Sequence, residues 1–187
     1  MAYHEQTRAL ARPGRAWRWL LLALWGLAAA LPLARADSAV EEGVSRTVLG
    51  ILGYTRWPVE GPVLRLCVVG ETDYARTLLN AKAQTVGNRP LEVLRADPGQ
   101  ADTLANCDGI YAGHLAEPAW RELMRNLQGR ALLTISERGA LCRIGAMFCL
   151  KPAKEAVGFE VNLDSVARSG VRVNPRVLQL ARQGAAP

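Results

Sequence analysis

Apolar positions recur at helical spacing in Val40, Val44, Val48, Ile51 and Leu52, directly after Ser38-Ala39-Val40-Glu41, an S-x-x-E capping box. This predicts a helix to about Tyr54, ended by Trp57-Pro58. The pattern then changes to short β-rich runs closed by small or polar residues: VLRLCVVG (63–70), PLEVLRA (90–96), CDGIYAG (107–113) and RALLTIS (130–136). Helical stretches fall between them. One is capped by Thr72 and carries Tyr74, Leu78 and Leu79, and a short one covers 101–104. The third enters at Glu117-Pro118, places Trp120, Leu123, Met124 and Leu127 on one stripe and stops at Gly129.

Strand and helix alternate to this point. That predicts an α/β fold of three layers, α/β/α, with a mainly parallel sheet covered on both faces. Right-handed crossovers in a flavodoxin-like 2-1-3-4 order would set the first and third strands side by side. The last third differs. MFCLK (147–151) and AVGFEVNL (156–163), separated by the turn Pro152-Ala153-Lys154-Glu155, read as an antiparallel hairpin extending the sheet. A short helix over 164–168 stops near Gly170, and Asn174-Pro175 caps a final helix with Val177, Leu178 and Leu180. Along the hairpin's second strand Val157, Phe159, Val161 and Leu163 share one face, and Gly158, Glu160 and Asn162 the other. This fits a half-solvated strand with a polar outer face; it also fits a partner-binding face marked by Glu160 with Phe148 on the adjoining strand. Periodicity does not say which face is buried.

The N-terminus alters the charge picture. Arg8, Arg12, Arg15 and Arg18 precede the uncharged run LLLALWGLAAALPL (20–33) and then Ala34-Arg35-Ala36, an A-x-A site. This reads as a cleaved secretory leader over residues 1–36, with the working chain starting at Asp37. The apolar run is shorter than the roughly 20 residues of a spanning helix, which disfavours a membrane anchor. No lipobox cysteine follows it. The expected compartment is the bacterial periplasm. The whole chain has net charge +6; without the five arginines and one glutamate of residues 1–36, 18 basic and 16 acidic residues remain. The basic balance belongs to the leader and implies no nucleic-acid partner. Residues 37–187 suit one domain with its own core.

All four cysteines, Cys67, Cys107, Cys142 and Cys149, lie after the leader. An even count behind a secretion signal favours disulfides. Neighbouring first and third strands would let Cys67 meet Cys107. Cys142 and Cys149 flank a glycine-containing bend, so a hairpin-like surface loop would let them meet. The expected bridges are 67–107 and 142–149. A C-x6-C spacing is not the C-x-x-C of redox catalysts, and a single histidine after the leader, His114, makes structural zinc unpromising.

Catalytic signatures are missing: no G-x-G-x-x-G, no Walker-type loop, no H-E-x-x-H and no G-x-S-x-G. His114 and Ser136 could be imagined as base and nucleophile, with nothing to identify an orienting partner. Asp73, Asp97 and Asp102 fall where turns and caps use aspartate. The chain is therefore read as a non-enzyme without cofactor or metal. A rival reading is a small-molecule sensor using the crevice at the carboxyl ends of the strands, near residues 70–73, Gly113, His114 and Ser136. A thiol oxidoreductase is a third, disfavoured by the cysteine spacing.

GILGYTRWP (50–58), RLCVVG (65–70), LLTISERG (132–139) and above all GFEVNLDSVARSGVRVNPRVLQLA (158–181) resemble the YfiR family, in order and over essentially all of residues 37–187. The four-cysteine complement is similar to that of the periplasmic diguanylate-cyclase repressor for which the family is named. Gly145-Ala146-Met147-Phe148 stands where relatives commonly have a GGMI-like run, and Asn174-Pro175 where serines are frequent. The resemblance implies a homodimer that binds the periplasmic sensor region of an inner-membrane diguanylate cyclase. It would hold cyclic-di-GMP synthesis and biofilm formation down until an OmpA-like outer-membrane lipoprotein or redox stress relieves it. The expected partner-binding residues are Phe148, Glu160, Asn162, Val166 and Arg168. CRIGAMFC (142–149) would be a stapled loop that holds Phe148 in position for the partner.

Overall fold

The computed structural model describes residues 31–81, 84–153 and 157–183, with side chains from 38 to 181; most of the expected leader and part of the turn at 152–155 lie outside these residues. Residues 37–187 form one compact unit.

The first helix, α1 (Leu31–Gly53), buries Val44, Val48, Ile51 and Leu52 as its period requires. It starts before the expected cap. Residues 31–36 are rich in leucine and alanine, strong helix formers, and Pro32 suits a first turn, so Ser38 lies inside the helix. Glu41, the other half of the box, instead accepts from Arg76 and Thr77. The strands are β2 (Leu64–Val69), β4 (Arg89–Ala96), β5 (Gly109–Ala112), β6 (Leu133–Ser136), β7 (Phe148–Pro152) and β8 (Val157–Val161); two-residue strands β1 (Thr55–Arg56) and β3 (Thr85–Val86) complete the first half. The main sheet has the order β3-β4-β2-β5-β6-β7-β8. Strands β4, β2, β5, β6 and β7 are parallel; β3 and β8 close the edges antiparallel. The expected 2-1-3-4 order and the C-terminal hairpin are both present. The β3–β4 hairpin was not expected, although Gly87-Asn88 is a turn dipeptide. Also unexpected is a two-stranded sheet in which β1 pairs with β9 (Arg172–Val173).

The remaining helices are α2 (Arg76–Asn80), α3 (Ala101–Leu104), α4 (Glu117–Asn126), α5 (Gly139–Cys142), α6 (Leu163–Arg168) and α7 (Leu178–Gln183), the last preceded by a 3-10 turn, Pro175–Val177. Strand alternation splits the core in two. Leu66, Val68, Tyr111, Ile135, Phe148, Leu150 and Phe159 face α1, α2 and α7. Cys67, Val69, Ile110, Ala112 and Cys149 face α3, α4 and α5. Gly50 on α1 admits Leu180 of α7: a Cβ there would lie 2.6 Å from Leu180 Cδ1.

Cys67–Cys107 and Cys142–Cys149 are both bridged. Both bridges lie in the second half-core, where of three covering helices α4 alone exceeds one turn. Trp120 fills much of that layer and donates Nε1–H to the Ile144 carbonyl at 3.2 Å. The staples reinforce the face that has the least helix to cover it.

Candidate functional site

The C-terminal hairpin and the helices after it form the outer end of the sheet. On the edge strand β8, Val157 and Phe159 are buried and Glu160 is exposed, so the outer-face reading of Glu160 holds. Glu160 pairs with Lys151 on β7, and Arg168 pairs with Asp164 one turn earlier on α6. Exposed pairs of this kind contribute about 0–1 kcal/mol each, so a partner can exchange them at little cost. Val166 is half-buried against the first half-core. The largest apolar exposures near this end are Leu163, opening α6, at 71%, and Leu178, opening α7, at 46%. Alternation had grouped Leu163 on one face with Val157, Phe159 and Val161. The strand ends at Val161, however, and the turn into α6 points Leu163 out.

Asn162 is engaged inside the protein through both ends of its carboxamide. Its Oδ1 accepts from Ser165 N at 2.9 Å, capping α6, and its Nδ2 donates to the Cys142 carbonyl at 2.7 Å. Phe148 corrects the sequence expectation more sharply. It is fully buried and meets Phe159 edge-on, with ring centroids 5.6 Å apart. It therefore cannot be the exposed anchor of a presenting loop. The segment 142–149 is not a surface hairpin either. Cys142 ends α5 and Cys149 is the second residue of β7, and both sulfurs belong to buried residues. Adjacent strand residues point to opposite faces, so Cys149 faces α4 while Phe148 faces α1.

At the carboxyl ends of β2, β5 and β6 the loops do converge. His114 Nε2 lies 2.8 Å from Asp73 Oδ2, the orienting partner the sequence did not reveal. Glu137, just past β6, is buried. Its Oε1 accepts from Tyr74 N at 2.9 Å and from the Tyr111 hydroxyl at 2.6 Å, and its Oε2 accepts from Asp73 N at 2.9 Å. This carboxylate takes the role expected of Thr72: it holds the backbone before α2, which begins at Arg76 rather than near Tyr74. Burial, and then the charge of Glu137, push the Tyr111 phenol far above its ordinary range. One donor atom each from Asp73, His114 and Glu137 lie within 4.8 Å of one another, a set chemically able to hold a divalent cation. Three hydrogen bonds already occupy Glu137. Ser136 is not brought to His114; its hydroxyl serves the backbone of Arg138.

Two of these loops are tied together by a β-bridge between Glu71 and His114. Gly113 makes this possible, since a Cβ there would stand 1.9 Å from the Glu71 carbonyl oxygen. Beside it, Asp73 and Tyr74 line an open cavity of about 540 Å³ together with Glu41, Arg76 and Pro152. Glu137 was missed in the sequence because an isolated glutamate after a strand carries no local pattern.

The YfiR/HmsC-like family profile matches residues 42–182, from the middle of α1 into α7, including both disulfides and the whole sheet. The chain belongs to this family. YfiR/HmsC-like proteins are regulatory proteins associated with diguanylate cyclase signalling and are periplasmic in general. Among the described residues no helix is long and apolar enough to cross a membrane. The matched domain exposes two large leucines, Leu163 and Leu178, at its β8–α6–α7 end; Val59, before β2, is the other large apolar residue exposed among the described residues.

Proposed function

We propose that this chain is a periplasmic negative regulator. It binds the periplasmic sensor region of an inner-membrane diguanylate cyclase through its β8–α6–α7 end and keeps cyclic-di-GMP synthesis low. An OmpA-like outer-membrane lipoprotein competes for the same end and relieves the repression. The functional unit is a homodimer, exported by the leader over residues 1–36 and then cleaved from it.

The outward leucines support this reading above all. Leu163 and Leu178 open two consecutive helices, and exposed ion pairs lie nearby on β7–β8 and α6, the mixture of apolar and polar exposure that interfaces use. Glu160, Val166 and Arg168 lie on β8 and α6; Asn162 caps α6, and Phe148 packs under β8 against Phe159. Repression requires tighter binding to the inactive cyclase than to the active one, because equal affinity shifts nothing.

The test is intracellular cyclic-di-GMP in a deletion strain rescued with the wild type, with Leu163→Asp, or with a chain lacking residues 1–36. Deletion should raise cyclic-di-GMP, the wild type should lower it again, and the other two should fail. No rise on deletion would refute the repressor role.

A further inference from the structure

A cavity of about 570 Å³ opens at the amino ends of β6 and β7, the edge opposite Asp73 and His114. That is an ordinary size for a small-molecule site. Its apolar walls come from Met124 and Leu127 at the end of α4, Leu132 before β6, and Ile144 and Met147 in the stapled segment. Among the described residues no aromatic ring lines it. The other wall is α6, which contributes Ser165, Arg168 and Ser169, positions i, i+3 and i+4 of one helical face. The stapled segment and α6 are joined at one end by the Asn162–Cys142 bond.

The polar groups in this wall are not all satisfied. Ser165 is 7% exposed, and its Oγ has no hydrogen-bond partner. An orphaned buried hydroxyl costs stability that alanine would not, and an acceptor on an occupant of the cavity would satisfy it. Thr134, buried at the cavity's inner end, accepts from Met147 N through Oγ1 at 3.0 Å and keeps its own hydroxyl hydrogen to donate. Arg168 adds a guanidinium whose one ion pair, to Asp164, is exposed and weak. A second guanidinium in the lining, Arg130, donates to the Leu104 and Cys107 carbonyls and adds positive charge to the same cavity. Hydroxyl donors and cations beside aliphatic and thioether groups suit an anionic head on an apolar chain.

We propose that this cavity binds an aliphatic monocarboxylate of medium chain length. The carboxylate accepts from Ser165, Thr134 and Arg168. The chain lies against Met124, Leu127, Ile144 and Met147, where the unbranched methionines adapt to its shape. Without an aromatic wall, stacking gives no advantage to a ring. The site requires neither the cyclase nor the lipoprotein.

Titration calorimetry of residues 37–187 with sodium decanoate, kept below its micelle concentration, tests this, with decanol as the uncharged control. The wild type should bind decanoate saturably, one per chain, and decanol more weakly. Ser165→Ala should weaken decanoate by about tenfold or more while leaving the melting temperature unchanged or higher, because the orphan hydroxyl is gone. Arg168→Gln should weaken decanoate and leave decanol unaffected. Absence of saturable binding by the wild type would overturn the proposal, as would decanoate affinity in both variants equal to that of the wild type. A Ser165→Ala protein that binds normally but melts lower would assign the hydroxyl a structural role and also overturn it.

Discussion

Phe148 separates a structural residue from a contact residue. Phe148→Ala deletes a ring that has no exposure and that faces Phe159 at 5.6 Å in the core beneath α1. Truncating a buried phenylalanine costs about 3–5 kcal/mol, which includes the cavity left behind and the lost aromatic pair. For a domain of this size, with a urea dependence of about 2 kcal/mol per molar, that moves the midpoint down by roughly 2 M. It lowers the melting temperature by something on the order of 10 °C. Leu163→Ala removes a side chain that is already 71% exposed and should stay within about 0.5 kcal/mol of the wild type. The assay is urea unfolding of oxidised residues 37–187 followed by circular dichroism, with both variants alongside the wild type. A Phe148→Ala protein as stable as the wild type would refute the placement of this ring in the core and return it to the surface role the sequence allowed.

Other expectations follow from the same structure. The loop closed by Cys67–Cys107 spans a separation of 40 residues and that of Cys142–Cys149 a separation of 7, so chain entropy assigns them about 4 and about 2.4 kcal/mol; paired Cys→Ala variants should lose stability in that order, and the reverse order in urea unfolding would refute it. Asn162→Ala should cost about 1–2 kcal/mol through the lost cap and the lost bond to Cys142, whereas a pure contact residue would leave the urea midpoint unchanged. The Tyr111 phenol ionises near pH 10 when unfolded but is held protonated far above that when folded, by burial and by Glu137. Its contribution is therefore present below about pH 10 and lost as pH rises beyond it. Urea midpoints from about pH 8 to 11 should fall more steeply for the wild type than for Tyr111→Phe, and parallel slopes would count against this.

The main fold was legible because its signals are local and repetitive. The period of α1, the four β-rich runs and the glycine and proline punctuation are properties of adjacent residues, and the alternation of strand and helix restricts the topology by chirality. Pairing of Cys67 with Cys107 followed from that topology, since β2 and β5 are neighbours. The pairing of Cys142 with Cys149 was also right, but for a different reason: a helix end meets a strand inside the core rather than two arms of a surface loop. What was not legible depends on groups distant in sequence. Burial of Phe148 requires α1, about a hundred residues earlier, to cover that side of β7. Glu137 acquires its role from Asp73, Tyr74 and Tyr111, which only the folded sheet brings to it.

The sequence by itself determined the main helices and strands, the mainly parallel sheet and the disulfide partners, because period, propensity and connection chirality act within short windows; the two-residue strands β1, β3 and β9 it left out. Only the tertiary structure decided which face of each strand is buried and which loops meet at the crevice. It also decided that Leu163 turns outward and that Ser165 sits unpaired in a cavity. Those outcomes are set by packing between segments far apart in the chain, where a single side chain's environment is the sum of neighbours that no local pattern encodes.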